Sequence, residues 1–346
     1  MKAMQLTGIR QMEMLDVPDP EIKNDHDVLI KMKTVGVCGS DIHYYVSGKI
    51  GSQAVKYPFT VGHEGAGRVV EVGKGVTHVK PGDRIAVEPA MPCWECDQCK
   101  SGRHHTCRKL RFLGCPKQAQ GCLSEYIVMP ETSCFKVSDT VSMVEAALSE
   151  PLAIGVYGVK KSFPVADAKI GVLGAGPIGF SVFMSALSMG AEKAYVTDKI
   201  NARLELAITA GATWTGNPNE SDILKGILEI EPEGLDVVFD CCGDQEALDQ
   251  AIEILKPGGK LMIIGIPQFD RFSFSVDKLR HNEICIQNVR RQCDCVQTAL
   301  DMIEKKDINV NVMMTHHYGF EQTKEAFDLV ADYQDGVLKA MIEFSG

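Results

Sequence analysis

Cys38, His63 and Glu64 are a thiolate, an imidazole and a carboxylate, carried by two short stretches, GVCGSDIH and VGHEGAG, in which small residues flank them. These are the ligand types that a catalytic zinc takes, and three protein ligands leave a fourth position for water or a substrate oxygen. Taken alone, one Cys and one His at this separation are more often loop or core residues. A stronger cluster follows. Cys93, Cys96, Cys99 and Cys107 are spaced C-x2-C-x2-C-x7-C, so four thiolates can close around one tetrahedral zinc and leave no open position, which makes the site structural. Without a metal they would be reactive thiols in the polar loop CWECDQCKSGRHHTC. An iron–sulfur cluster fits less well, because its usual fourth-ligand spacing and trailing proline are missing. His104 and His105, inside the same loop, read as solvent-facing residues and not as further ligands.

A third motif needs particular elements around it. Lys169 to Leu173 is an apolar strand run, followed by Gly174-Ala175-Gly176-Pro177-Ile178-Gly179, an amphipathic run from Phe180 to Gly190, a second strand from Lys193 to Thr197, and Asp198. Strand, G-x-G-x-x-G, helix, strand, acid is the dinucleotide fingerprint: Gly174 permits the tight turn, Gly176 lets backbone approach a pyrophosphate, and Gly179 lets helix pack on strand. The diphosphate then meets the free N–H groups of the helix start. A carboxylate at Asp198 accepts hydrogen bonds from ribose hydroxyls and repels a 2′-phosphate, which favours NAD over NADP. Lys199 and Arg203 follow it and soften that preference, or Arg203 lies against the adenine. The expected cofactor contacts are Gly174, Gly176, Pro177, Ile178, Gly179, Asp198 and Arg203, with Gly265, Ile266 and Val289 further on.

The elements that must hold these residues fall into two patterns. Residues 1 to 150 read as short β-branched runs (Val28 to Val37, Arg68 to Val72, Arg84 to Glu88, Leu123 to Met129) separated by Gly, Pro and Asp, with no helix-period stretch among them. From about residue 150 strands alternate with helices: Leu235 to Asp240, the helical Gln245 to Leu255, Lys260 to Ile266, and a last strand from Ile284 to Val289. That is a doubly wound parallel sheet with right-handed crossovers. A helix from Val296 to Lys305 and a short tail follow, and the segment from 290 to 346 is expected to rejoin the first unit, because it is too short to build a third core. The expected domains are therefore 1–150 completed by 290–346, and 151–289.

The 346 residues, 45% hydrophobic and 24% charged, have ordinary globular composition. A formal net charge of −10 argues against a nucleic-acid surface and against an anionic membrane face. The amino terminus has no signal-peptide apolar run and no stretch is long enough to span a bilayer, which reads as cytoplasmic. Thirteen cysteines in a reducing compartment are not a disulfide framework. Apart from the ligand candidates they read as small buried hydrophobes or loop residues, and Cys241-Cys242 as packing at a strand end.

As a set these residues resemble the zinc-containing medium-chain alcohol dehydrogenases, over essentially the whole chain. The resemblance is carried by GVCGSDIH, VGHEGAG, the four-cysteine lobe, GAGPIG and Ser149-Glu150-Pro151-Leu152. It implies an α/β protein with a GroES-like β-rich catalytic domain formed by both chain ends, a Rossmann domain inserted between them, and the active site in the cleft. It implies two zinc ions per chain, one catalytic and one structural, NAD as cofactor, and a homodimer or homotetramer. Within the family, SEPLAIGVY and HYYVSGKIG are similar to the polyol (sorbitol/xylitol-type) dehydrogenases. In that branch the catalytic zinc ligands correspond to Cys38, His63 and Glu64, with Glu150 holding the zinc's water or approaching the metal itself. Ser40 corresponds to the proton-relay hydroxyl, His43 to its surface-end base, and Tyr44 and Arg291 to substrate-binding residues.

The reaction implied is oxidation of a secondary hydroxyl to a ketone with hydride transfer to NAD. Two departures are visible: Gln292 stands where many polyol enzymes carry Tyr, and RFLGCPKQAQG replaces an Ala-Thr/Ser-Pro-Pro run that lines their pocket. L-Threonine 3-dehydrogenase and butanediol or cyclitol dehydrogenases stay open as alternatives. A relative that binds NAD without chemistry would be expected to have a broken ligand set, and here every ligand is present. A zinc hydrolase would have no use for the dinucleotide fingerprint.

Overall fold

The computed structural model describes residues 1–345. They fold as two compact units: Met1–Glu150 together with Val296–Gly346, and Pro151–Cys295.

The outer unit is built on a seven-stranded sheet whose central strand is Asp27–Gly36. Its alternate residues Val28, Ile30 and Met32 are fully buried, the period-two signature of a strand with one face on a core. This strand pairs antiparallel with Glu64–Val72, with Tyr126–Pro130 and with Lys339–Glu343. Register places Gly36 opposite both Glu64 and Met341, so the strand end that leads into Cys38 lies beside the strand start that follows His63. The two stretches separated in sequence are thus brought side by side by hydrogen-bond register.

Two helices longer than a single turn interrupt the residues where none was expected. Gly39–Ser47 starts at Cys38 and ends at Gly48, whose φ of 66° supplies the left-handed cap. Met143–Ser162 starts with a reciprocal capping box, in which Glu145 N–H donates to Ser142 Oγ at 3.1 Å and Ser142 N–H to Glu145 Oε2 at 2.7 Å. Pro151 lies inside this helix and has no N–H to give to the turn before it. That proline hid the helix in the sequence.

The inner unit is a six-stranded parallel sheet with strand order Trp214–Gly216, Lys193–Thr197, Lys169–Leu173, Leu235–Asp240, Leu255–Ile263, Cys285–Asn288. Its central strands are near-continuous buried runs, such as Val237, Val238 and Phe239, as expected where both sheet faces are covered. Strand order reverses between Lys169–Leu173 and Leu235–Asp240, and ligands bind at the carboxyl ends beside such a switch point. Gly265 and Ile266 fall beyond the end of their strand, which closes at Ile263. The unit runs on past 289 to Cys295. Cys285, read as a buried or loop residue, is exposed on the edge strand, and Cys242, read as packing at the strand end, is exposed just after Asp240.

Candidate active site and metal centres

Cys38 caps the helix Gly39–Ser47, and Glu64 begins the neighbouring strand with His63 just before it. One donor atom from each of the three lies within 4.8 Å of the other two. His63 and Glu64 are 6% and 1% exposed. Asp41, fully buried, orients the group. Its Oδ1 lies 3.3 Å from His63 Nδ1 and accepts from Gly62 N–H at 3.2 Å, and its Oδ2 accepts from Cys38 N–H at 3.4 Å. A carboxylate on one ring nitrogen leaves the other to a metal, the arrangement found behind histidine ligands. Burial opposes a charge on His63, but Asp41 and Cys38 outweigh it and raise the imidazole well above its ordinary range. A positive charge is therefore welcome at this point.

Glu150 stands on the helix Met143–Ser162, 6% exposed. Its Oε2 is buried and has no hydrogen-bond partner among the described residues. Burial pushes its carboxyl up to about 8; His63 and Lys339 oppose the rise, and Glu64 and Glu88 add to it. An orphaned buried carboxylate oxygen is costly unless something binds it. Together with a thiol, an imidazole and Glu64, this donor set fits a divalent zinc. Lys339 was not anticipated: it is buried and ion-paired to Glu64 at 2.6 Å. Its only local signal was a single charge within the apolar run VLKAMI.

Ser40 Oγ donates to Cys38 Sγ at 3.4 Å. His43 is half-buried one turn further along the same helix, and burial lowers its pKa. Tyr44, 4% exposed, has its Oη donating to Gln53 Oε1 at 3.2 Å and 3.7 Å from Cys115 Sγ. Phe112, also missed, lies with its ring centroid 5.4 Å from that of His63. Arg291 belongs to the inner unit, half-buried with a left-handed φ of 53°.

The four-cysteine lobe is closed on itself. Sulfur separations are 3.4 Å for Cys93 and Cys107, 3.6 Å for Cys96 and Cys99, and 3.9 Å for Cys96 and Cys107. Sulfurs placed tetrahedrally around zinc at its usual bond length are about 3.8 Å apart, whereas a disulfide is ~2.05 Å. Backbone N–H groups of Arg108 and Cys99 draw the Cys96 thiol down to about 6. The residues fit one zinc. His105 is buried at 5% exposure, against the solvent-facing expectation, because the one-turn helix His104–Thr106 turns it inward. His104 lies half-buried against Trp94, with ring centroids 5.0 Å apart.

In the inner unit Gly174 has φ of 101°, and a Cβ on Gly179 would stand 1.8 Å from the Gly174 carbonyl oxygen. Only glycine allows the helix Pro177–Ser188 to approach so closely. Gly176 caps that helix and Pro177 and Ile178 form its first turn, so its free N–H groups face the loop. Asp198 braces the loop: Ala175 N–H donates to Oδ2 at 2.7 Å and Ile200 N–H to Oδ1 at 2.8 Å. Buried Arg203 comes within 3.9 Å of Asp198 Oδ2. Val289 N–H donates to Ile263 O at 2.9 Å, and Gly265 N–H to Asp240 O at 3.0 Å, both at the carboxyl ends of the strands. This cradle fits a dinucleotide diphosphate.

Candidate metal ligands in one unit and a loop fitted to a dinucleotide in the other match the division of labour of a metal-dependent dehydrogenase. Residues 24–139 match the alcohol dehydrogenase GroES-like domain and residues 177–305 the zinc-binding dehydrogenase domain. The chain is 35% identical to sorbitol dehydrogenase of Bacillus subtilis over 343 residues, 99% of this chain and 97% of that one. It is 32% identical to D-xylulose reductase A of Aspergillus oryzae over 328 residues, 93% and 91% of the two chains. A solved Escherichia coli oxidoreductase of unknown specificity, described as involved in membrane biogenesis, superposes with a TM-score of 0.94 at 30% identity, covering 100% of this chain and 99% of that one. The chain belongs to the zinc-binding alcohol dehydrogenase family. It uses zinc and a nicotinamide cofactor, and no helix among the described residues is long and apolar enough to cross a membrane.

Proposed function

We propose that the chain oxidises a secondary hydroxyl of a polyol of the sorbitol, xylitol or iditol kind to the ketone, with the hydride passing to NAD. The observation that carries this reading is the convergence of Cys38, His63 and Glu64 donor atoms within 4.8 Å, with the unpartnered Glu150 Oε2 in electrostatic range of His63 and Glu64. Similarity to a sorbitol dehydrogenase and a D-xylulose reductase supports the substrate class. Asp198 supports NAD, since its carboxylate would repel the 2′-phosphate of NADP.

Cys38, His63 and Glu64 would hold a zinc ion, which would supply the Lewis acidity that makes a hydroxyl proton easier to remove. Ser40 takes the hydroxyl proton at Oγ. His43, three residues on and so on the same helical face, passes it outward; its lowered pKa keeps a ring nitrogen free to accept at neutral pH. Tyr44 Oη, fixed by Gln53, and Arg291 bind the remaining hydroxyls. Glu150 orients the reacting hydroxyl or exchanges with Glu64 at the metal. Phe112 keeps water from the His63 side.

The four-cysteine lobe holds a second, structural zinc, supported by its sulfur separations. We further propose a cytoplasmic homodimer or homotetramer. None of the thirteen cysteines is in a disulfide, which supports a reducing compartment, and the open edge strand Cys285–Asn288 supports association.

The test is NADH formation by zinc-loaded protein with NAD or NADP and a panel of polyols, cyclitols, 2,3-butanediol and L-threonine. Turnover of a polyol with NAD is the expected result. Turnover of threonine, butanediol or a cyclitol alone would keep the chemistry and replace the substrate. Silence across the panel with both metals and NAD bound would sink the polyol reading.

A further inference from the structure

The return strand Lys339–Glu343 carries one cation into the interior of the outer unit. Lys339 is 2% exposed and its partner Glu64 1%. An ammonium has three donors, and all three have acceptors: Glu64 Oε1 at 2.8 Å, Glu64 Oε2 at 2.6 Å and the carbonyl of Val37, next to Cys38, at 3.0 Å. From the other side Glu64 rests against bare backbone, since a Cβ at Gly36 would lie 2.3 Å from its Oε2. A carboxylate among the metal ligands therefore already shares both oxygens with a buried cation. Glu150 has an oxygen shared with nothing among the described residues.

We propose that Lys339 is a positioning residue that competes with the catalytic metal for Glu64. The inference rests on the reading of Cys38, His63 and Glu64 as metal ligands. Removing one partner of a buried ion pair leaves an uncompensated charge, which is strongly unfavourable. With Lys339 in place Glu64 is neutralised before any ion arrives. Afterwards the carboxylate's lone pairs are divided between ammonium and metal, so Glu64 binds less tightly than a free carboxylate would. A ligand held in this way can leave, and Glu150 is the buried carboxylate with an oxygen to offer in its place. The competition keeps the metal's carboxylate exchangeable. A lysine that served the fold alone would stabilise the protein with and without the ion equally, and would leave metal affinity unchanged.

The experiment is a chelator-competition titration of Zn²⁺ on the full chain with the four-cysteine site loaded, together with the visible spectrum of Co²⁺ at the catalytic site. Lys339→Met is expected to hold the catalytic ion more tightly, by about tenfold, the lower range of effects for groups behind metal ligands, and to alter the Co²⁺ bands. In a Glu64→Gln background the same substitution is expected to give a several-fold smaller gain. An equal gain in both backgrounds, or no gain in folded Lys339→Met, overturns the proposal. Should Lys339→Met not fold, Lys339→Gln, uncharged but still a donor to Glu64, carries the same comparison. Cys38→Ala tests the ligand reading underneath. Loss of one ion per chain in that variant upholds the ligand set, so that failure of the Lys339 comparison counts against Lys339 alone. Retention of both ions overturns the ligand set and the proposal with it.

Discussion

His63 can offer only one ring nitrogen to a metal, because Asp41 takes the other at 3.3 Å. Cys38 is fixed at the same time through its own N–H to Asp41, so the two ligands share one buried anchor. Replacing Cys38 or His63 by Ala removes a ligand without touching the sheet register that surrounds it. Either variant is expected to lose turnover while its circular dichroism and NADH affinity stay near those of the parent. Loss of the fold in both would contradict the assignment. Asp198 braces the glycine turn and, in the proposed function, also selects the ribose. Asp198→Gly is therefore expected to weaken NAD by about tenfold or more, as befits the loss of charge-assisted hydrogen bonds, and to narrow the gap to NADP, read by titrating both cofactors. Cys38, His63 and the four lobe cysteines could be picked out by type and local spacing. Asp41 was missed, although it stands three residues past Cys38 in the pattern of a capping box. Lys339 was missed as well, since its partner is 275 residues away.

At the scale of elements, the inner strands were legible almost residue for residue at Lys169–Leu173, Lys193–Thr197 and Leu235–Asp240, because apolar runs between Gly-rich turns leave little choice. The helices Gly39–Ser47 and Met143–Ser162 were not: one is short and rich in small polar residues, the other carries a proline, and tertiary packing overrode both signals. A buried cluster ties the starts of the inner strands together. Glu231 Oε2 accepts from Lys169 Nζ at 2.5 Å, and Oε1 accepts from Lys193 Nζ at 2.8 Å and Tyr195 Oη at 2.5 Å. Burial would raise the Glu231 carboxyl, but Lys169, Lys193 and Tyr195 outweigh it and bring it down to about 2. A depressed carboxyl stabilises the fold fully above its unfolded value of roughly 4.3, and that contribution is lost as pH falls through about 2. Glu231→Gln is expected to lower stability at pH 7 by about 2 kcal/mol, the range of hydrogen bonds to charged groups. It should also flatten the acid limb of the urea midpoint below about pH 4. An unchanged acid limb would assign acid sensitivity to other carboxylates.

For the molecule as a whole, family and fold class were legible because each unit carries its own local signature, a ligand pair flanked by glycines in one and a strand–glycine loop–helix in the other. The closing of the outer unit by the far end of the chain was inferred from length and from the family resemblance, not from any local signal in the closing strand. The central strand Asp27–Gly36 borrows that closing strand, Lys339–Glu343, as a direct neighbour. A chain stopped after Asp335 keeps Cys38, His63, Glu64, Glu150 and all four lobe cysteines. It is nevertheless expected to lose the catalytic ion, read as metal content by mass spectrometry of the purified protein, because the end of Asp27–Gly36 that leads into Cys38 loses the strand paired with Thr34, Val35 and Gly36. Full metal content in that variant would show the centre to be independent of the return strand.

The same feature sets an order of events during synthesis. At ~5–20 residues per second, the ribosome takes roughly 15–55 s to travel from Glu64 to Lys339, 275 residues on, and the whole inner unit is made in that interval. Throughout it the nascent outer unit holds an unfinished sheet edge and, in Glu64, a carboxylate awaiting its cation. The inner unit, contiguous from Pro151 to Cys295, has no such wait and can be complete first. The newborn dehydrogenase is thus able to assemble its cofactor cradle before its metal centre, and the centre is finished only when nearly the last strand emerges.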